Sequence, residues 1–405
     1  MKIIIADFIY TPDGFIKNQA IAFNDTIVAI DTPEALQTRY KDAKTHHTEA
    51  NSVLYPGFIN THVHLEFSAN KTALQYGSFM PWLHSVIEQR DTLLASCDNA
   101  TMKQACESML RSGITTFGAI SSFGTELEVC EQTPQRVVFF NELIGSNAAY
   151  ADMLYGDFTQ RLEASMHCVK NSRITPAIAI HSPYSVHPVL LHKAIGLAKQ
   201  HTLQLSAHFL ESQAERDWLE KGEGEFKPFF EKFFNTSTPV TTIEEFIHAF
   251  DTYPTHFTHC VQASKEELEY LINKGHSVAH CPRSNRYLGV GRLAIEHLLD
   301  AKFSVATDGL SSNDSLNLFD ELRAALMLHH QAPIDKLATR LIHAVTSDAA
   351  DILRLNCGKI AVGKNADFAV VTLPETPKRE EEIALWTILQ TKEVSEVYIE
   401  GEKYV

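Results

Sequence analysis

The residues with the clearest chemical potential are His62 and His64, within Asn60-Thr61-His62-Val63-His64-Leu65-Glu66. On an extended strand alternate side chains share a face, so both imidazoles can grip one cation while Val63 points away. Such a pair by itself fits packed or solvated histidines as well. The metal reading gains weight from His208 and from Asp308, which follows the run Val305-Ala306-Thr307. An ionised carboxylate there needs a cation or hydrogen-bond partners, unless Asp308-Gly309 merely opens a helix. Three imidazoles and one carboxylate suit one divalent cation with room for a water, zinc first, with iron and manganese as alternatives. Glu211, three residues after His208, can face the metal from the substrate side and carry a proton. His259 can orient the nucleophile, its alternative being a core histidine bonded to backbone. No lysine falls at a strand end where a carbamylated bridge between two metals would require one.

These residues are far apart in sequence, so a fold must bring them together. Eight short apolar runs are expected as strands, at 57–60, 114–120, 136–141, 175–181, 203–208, 255–260, 277–281 and 303–308. Amphipathic segments at 81–95, 99–111, 158–170, 189–200, 212–220, 264–274 and 292–299 predict helices between them, with 318–328 and 334–345 following the last strand. This alternation predicts a (β/α)8 barrel, whose strand C-termini open on one face. His62, His64, His181, His208, His259, His280 and Asp308 would then become neighbours. An open nucleotide-binding sheet would show a glycine-rich first turn, which Gly57-Phe58-Ile59-Asn60 lacks. Residues 1–55 read as a β meander, and 358–405 adds further strands. The two termini are expected to form one composite β domain, leaving 56–357 as the barrel. The apolar face of 222–234 is expected either to pack on the barrel or to line its mouth.

Composition narrows the function. The chain has 405 residues, 44% hydrophobic and 21% charged, with a formal charge of −15. That charge argues against a general nucleic-acid binder, while local arginines can still dominate a pocket. No run is long and apolar enough to cross a membrane. Seven cysteines without a CxxC pair fit a reducing compartment, so a cytoplasmic protein is expected.

Pro56 to Glu66, His208 to Glu211, His259-Cys260-Val261, His280 to Asn285 and Thr307-Asp308-Gly309 together resemble the amidohydrolase superfamily. The likeness spans almost the whole chain and is strongest to its mononuclear aminohydrolases, which deaminate purines and related heterocycles. It implies that His62, His64, His208 and Asp308 hold the metal, that Glu211 protonates a ring nitrogen, and that His259 positions the nucleophile. Asp308 would also take a proton from the attacking water. The stretch Asn60 to Phe67, the helix start Pro81-Trp82-Leu83 and the loop His181 to Ser185 resemble more closely the members acting on an adenine nucleoside whose sugar bears a carboxyphenyl ketone. Other purine nucleosides, and guanine, stay open as alternatives. His181, Glu66, Trp82 and Phe67 are candidates to touch substrate. Arg283 is the first candidate for its carboxylate, ahead of Arg136 and Arg286. A homodimer is also an expectation from the resemblance. Cys281 beside His280 is a poor nucleophile pair, because neighbours on a strand face opposite ways.

Overall fold

In this computed structural model, residues 1–168 and 173–405 are described. Eight parallel strands follow one another in chain order around a single sheet. They are Phe58–Val63, Ile114–Ser121, Arg136–Leu143, Ile174–Ile180, Gln204–Phe209, Thr255–His259, Ser277–His280 and Phe303–Val305. The Asp308 amide donates to the His62 carbonyl at 3.1 Å, bringing the sheet's last edge to its first and nearly closing a barrel. Such strands are covered on both faces, which explains continuous apolar runs such as Ala177 to Ile180 in place of strict alternation.

Helices occupy most of the expected segments, including Phe79–Ser96, Asn99–Arg111, Pro188–His201, Gln213–Lys221, Lys265–Asn273 and Leu318–Leu328. Local chemistry sets their starts. Ser264 caps Lys265–Asn273 through a reciprocal box with Glu267, and Pro188 opens its helix at the position where a missing N–H costs nothing. The helix Ala151–Cys168 begins earlier than expected, and the expected positions 169 and 170 lie outside the described residues. The helix expected at 292–299 is only a 3-10 turn, Ile295–His297. Its buried residues Leu293, Ile295 and Leu298 recur at intervals of two and three, which no single α-helical face accommodates.

The chain divides into two compact units, 1–61 with 106–117 and 317–405, and 62–105 with 118–316. Within the first, residues from both termini share a six-stranded sheet, where Phe368–Thr372 pairs antiparallel with Ser52–Pro56. The N-terminal stretch is not a simple meander. Lys2–Ile5 pairs in parallel with Lys44–His47, and the crossover carries the helix Pro33–Arg39, capped by Thr32. Parallel pairing requires such a connection, which a run of hairpins cannot supply.

Candidate active site

The C-terminal ends of the barrel strands place His62, His64, His208, His259, Glu211 and Asp308 around one point, all within the second unit. His62 Nε2 lies 3.2 Å from His208 Nε2, and Asp308 Oδ1 is 3.7 Å from the Nε2 atoms of both His62 and His64. The donor atoms of His62, His64 and His208 all lie within 4.8 Å of one another, so with Asp308 beside them this set would suit a single divalent cation. Burial, and then neighbouring imidazoles, hold His62 and His208 well below the usual histidine range. The neutral rings that result are the form that binds metal. Their outward nitrogens are fixed: His208 Nδ1–H donates to the His181 carbonyl at 2.6 Å, and Thr258 Oγ1 lies 3.2 Å from His62 Nδ1. These contacts aim each Nε2 inward.

Asp308 is held on all sides. The Gly309 amide donates to Oδ1 at 2.8 Å, while Ser284 and Ser312 hydroxyls donate to Oδ2 at 2.8 and 2.9 Å. Burial alone would raise its pKa, but His259, His64 and these hydrogen bonds outweigh it and keep the carboxyl below its ordinary value. Glu211 shows the opposite balance. Burial, reinforced by the Asp308 charge, pushes its carboxyl well up, as a proton donor near neutrality requires. His259 stands between them, with Nε2 3.6 Å from Glu211 Oε1 and 3.9 Å from Asp308 Oδ2. Its Nδ1–H donates to Asn285 Oδ1 at 2.9 Å, directing Nε2 at the reaction space.

The backbone leaves several strands abruptly here. Leu210, His259, Cys260 and Asp308 all have positive φ, at 45°, 73°, 48° and 58°. Such conformations cost about 1–3 kcal/mol each in non-glycine residues and persist only where the surroundings impose them. Glycine is required beside Asp308 for another reason. A Cβ on Gly309 would lie 2.8 Å from His64 Cβ and 2.9 Å from the His64 carbonyl oxygen. Gly309→Ala is therefore expected to displace His64 and weaken metal retention by about tenfold or more, measured by competition with a chelator.

Three further residues position the site in ways the sequence does not reveal. Glu215 accepts the Leu210 and Glu211 amides at 3.0 and 2.8 Å, holding the loop that carries Glu211. Burial pushes Glu215 up to about 7 against those hydrogen bonds. A signal was present in Ser212-Gln213-Ala214-Glu215, a capping pattern, although this glutamate turns to the preceding loop. Asn285 and Ser284 lay inside the motif His280 to Asn285, but nothing in their spacing identified His259 and Asp308 as their partners.

A cavity over His64 and His208 is lined in part by Phe67, Trp82, His181, Tyr184, Glu211 and Asp308. Trp82 and His181, candidates to touch substrate, both line this cavity. The Trp82 indole donates to the Ser311 carbonyl at 2.8 Å, and His181 Nδ1 lies 2.6 Å from Ser185 Oγ. The apolar helix Phe226–Phe234 packs rather than lining this cavity, with Phe230 stacked on Trp218 at 4.9 Å.

The other candidates stand outside the lining of this cavity. Glu66 is buried outside the lining and accepts the Ser122 and Phe123 amides at 3.1 and 2.7 Å, so its acceptor capacity serves the fold. Arg136 begins its strand, which puts it at the barrel end opposite the site. Arg283 lies outside the lining, its guanidinium paired with Asp314 and 3.3 Å from the Tyr287 hydroxyl. Arg286 does not line the cavity either, and His280 is buried on its strand. Cys281 packs with Ala279 and Ala306, consistent with an inert thiol.

The amidohydrolase family model matches residues 53–403. A protein of a Nitratiruptor species named aminodeoxyfutalosine deaminase is 46% identical over 405 residues, covering all of both chains. A Helicobacter pylori protein named adenosine deaminase is 35% identical over 400 residues, covering 96% of this chain and 95% of its own. The crystal structure of Helicobacter pylori aminofutalosine deaminase in complex with methylthio-coformycin superposes with a TM-score of 0.95 at 33% identity, covering both chains fully.

Proposed function

Because this chain belongs to the amidohydrolase family, we propose that it hydrolyses 6-amino-6-deoxyfutalosine to futalosine and ammonia, on the futalosine route to menaquinone. The observation that carries the substrate is the 46% identity to an aminodeoxyfutalosine deaminase across the full length of both chains. The reaction class is supported by a raised carboxyl at Glu211 and a lowered one at Asp308, facing each other across His259.

His62, His64, His208 and Asp308 would hold one divalent cation, zinc by the character of the donors. When bound it supplies Lewis acidity, lowering the pKa of a water at the site. The chain's own groups then divide the proton transfers. Asp308 accepts a proton from the attacking water, whose oxygen bonds to the amine-bearing carbon. Glu211 delivers its proton to the adjacent ring nitrogen, so negative charge does not build up on the purine. His259 orients the water through Nε2. A proton passed to the exocyclic amine makes it a leaving group, and the C–N bond breaks to release ammonia. His181 faces the substrate, and Trp82 and Phe67 supply aromatic walls.

In this reading, 56–357 is the catalytic barrel and 1–55 with 358–405 is its composite β domain. The location is cytoplasmic, in keeping with seven free cysteines. No described helix is long and apolar enough to cross a membrane.

The likeness to an adenosine deaminase favours a second reading, in which plain adenosine is the substrate. Ammonia release by metal-loaded protein separates the two, with 6-amino-6-deoxyfutalosine, adenosine, methylthioadenosine, S-adenosylhomocysteine and guanine compared in parallel. The proposed substrate is expected to give the highest kcat/KM by about tenfold or more. Equal or better turnover of adenosine would overturn the assignment and leave the deaminase chemistry standing.

A further inference from the structure

We propose that Arg90 recognises the carboxylate of the substrate at the mouth of the cavity and makes the nucleoside enter purine first. The inference rests on the carboxylated nucleoside proposed above. The helix Phe79–Ser96 contributes Trp82, Leu83, Val86 and Arg90 to the cavity wall. Trp82, Val86 and Arg90 recur every fourth residue, so they form one stripe along the helix. At about 1.5 Å per residue, Arg90 lies roughly 12 Å beyond Trp82 along the axis. Trp82 marks the inner end, because its indole is tied to Ser311 and the next residue, Ser312, donates to Asp308. At the outer end Phe123 and Ile144 line the same cavity while 41% and 38% exposed, and the Arg90 side chain is 48% exposed.

Charge gives the stripe a direction. The lining includes the acidic side chains Glu142, Glu211 and Asp308, whereas Arg90 is the only lysine or arginine among the described lining residues. Glu211 and Asp308 stand at the inner end, where the amine-bearing ring must sit to react, so the far end of the nucleoside points towards Arg90. Leu83, Val86, Phe123 and Ile144 suit an aryl ring just inside Arg90, whose planar fork matches a carboxylate. Among the described residues its only hydrogen bond runs from Nε to Asp91 Oδ1 at 3.1 Å. Asp91 is 89% exposed on its side chain, and such a solvated pair yields readily to a better partner.

The test compares kcat/KM for 6-amino-6-deoxyfutalosine and for its methyl ester in the wild-type protein, Arg90→Met and Arg90→Lys, with metal content assayed in each. Wild-type protein is expected to prefer the acid by about 10- to 30-fold, as a charge-assisted hydrogen bond to a half-exposed group would give. Arg90→Met should bring the ratio near one, chiefly through KM for the acid, and Arg90→Lys should recover part of it. A ratio in Arg90→Met equal to that of wild type, or equal losses for acid and ester, would overturn the role of Arg90 while leaving the substrate reading intact. Wild-type protein that handles neither acid nor ester better than adenosine would overturn both.

Discussion

Glu211→Gln is expected to keep its metal and its fold and to lose about 100- to 10,000-fold in kcat, the usual range for removing a general acid–base group. The amide matches the carboxyl in size and can still form hydrogen bonds, but it cannot carry the proton. The site is arranged for that proton. Burial and the neighbouring Asp308 charge raise the Glu211 carboxyl, while Glu215 fixes its loop by accepting the Glu211 amide at 2.8 Å. Metal stoichiometry measured alongside ammonia release makes the result specific. Near-normal turnover with a full complement of metal would refute the proton-transfer role. Loss of metal together with activity would show that Glu211 acts in assembling the site.

His208→Ala is expected to fail at the earlier step. Its Nε2 is 3.2 Å from that of His62, and its ring is oriented by the His181 carbonyl at 2.6 Å. Removing the imidazole leaves two histidines and Asp308, a set short of one donor. Metal content should fall far below one per chain, and kcat/KM by about 1,000-fold or more, equivalent to the several kcal/mol that Lewis-acid catalysis supplies. Stability gives an independent readout. A cation that binds only the folded chain raises its melting temperature by mass action. A chelator should therefore lower Tm of the wild-type protein and leave that of His208→Ala unchanged. An equal chelator shift in both would contradict the assignment of His208 as a ligand.

The two substitutions divide the site along a line that its electrostatics already draws. In the proposed reading His62 and His208, kept neutral by burial, belong to the metal-binding half, and two carboxyls displaced in opposite directions form the proton-transfer half. A single variant that lost metal, proton transfer and folding together would hide this division. Glu211→Gln and His208→Ala separate it because one keeps every metal donor and the other keeps the acid.

The barrel rhythm and the residues at its strand ends are legible in the amino-acid order alone. Apolar runs of strand length alternating with amphipathic segments permit few architectures, and a closed parallel barrel sends every strand's C-terminus to the same face. That polarity groups His62, His64, His208, His259 and Asp308 at one end of the barrel, with Glu211 in the loop just beyond. Where a side chain's position depends on more than strand polarity, the folded packing settles the outcome. Glu66 lies two residues past His64, yet its carboxylate is bound by the Ser122 and Phe123 amides. Arg283 follows a strand end as a binding residue would, but a short helix turns it towards Asp314 and Tyr287. Arg90 lies in mid-helix, where sequence gives no sign of a ligand, and it reaches the cavity because the stripe from Trp82 through Val86 faces inward. Strand ends are placed by backbone topology, which periodicity reveals. Pocket walls are placed by how helices and loops pack against one another, which depends on contacts between residues far apart in the chain.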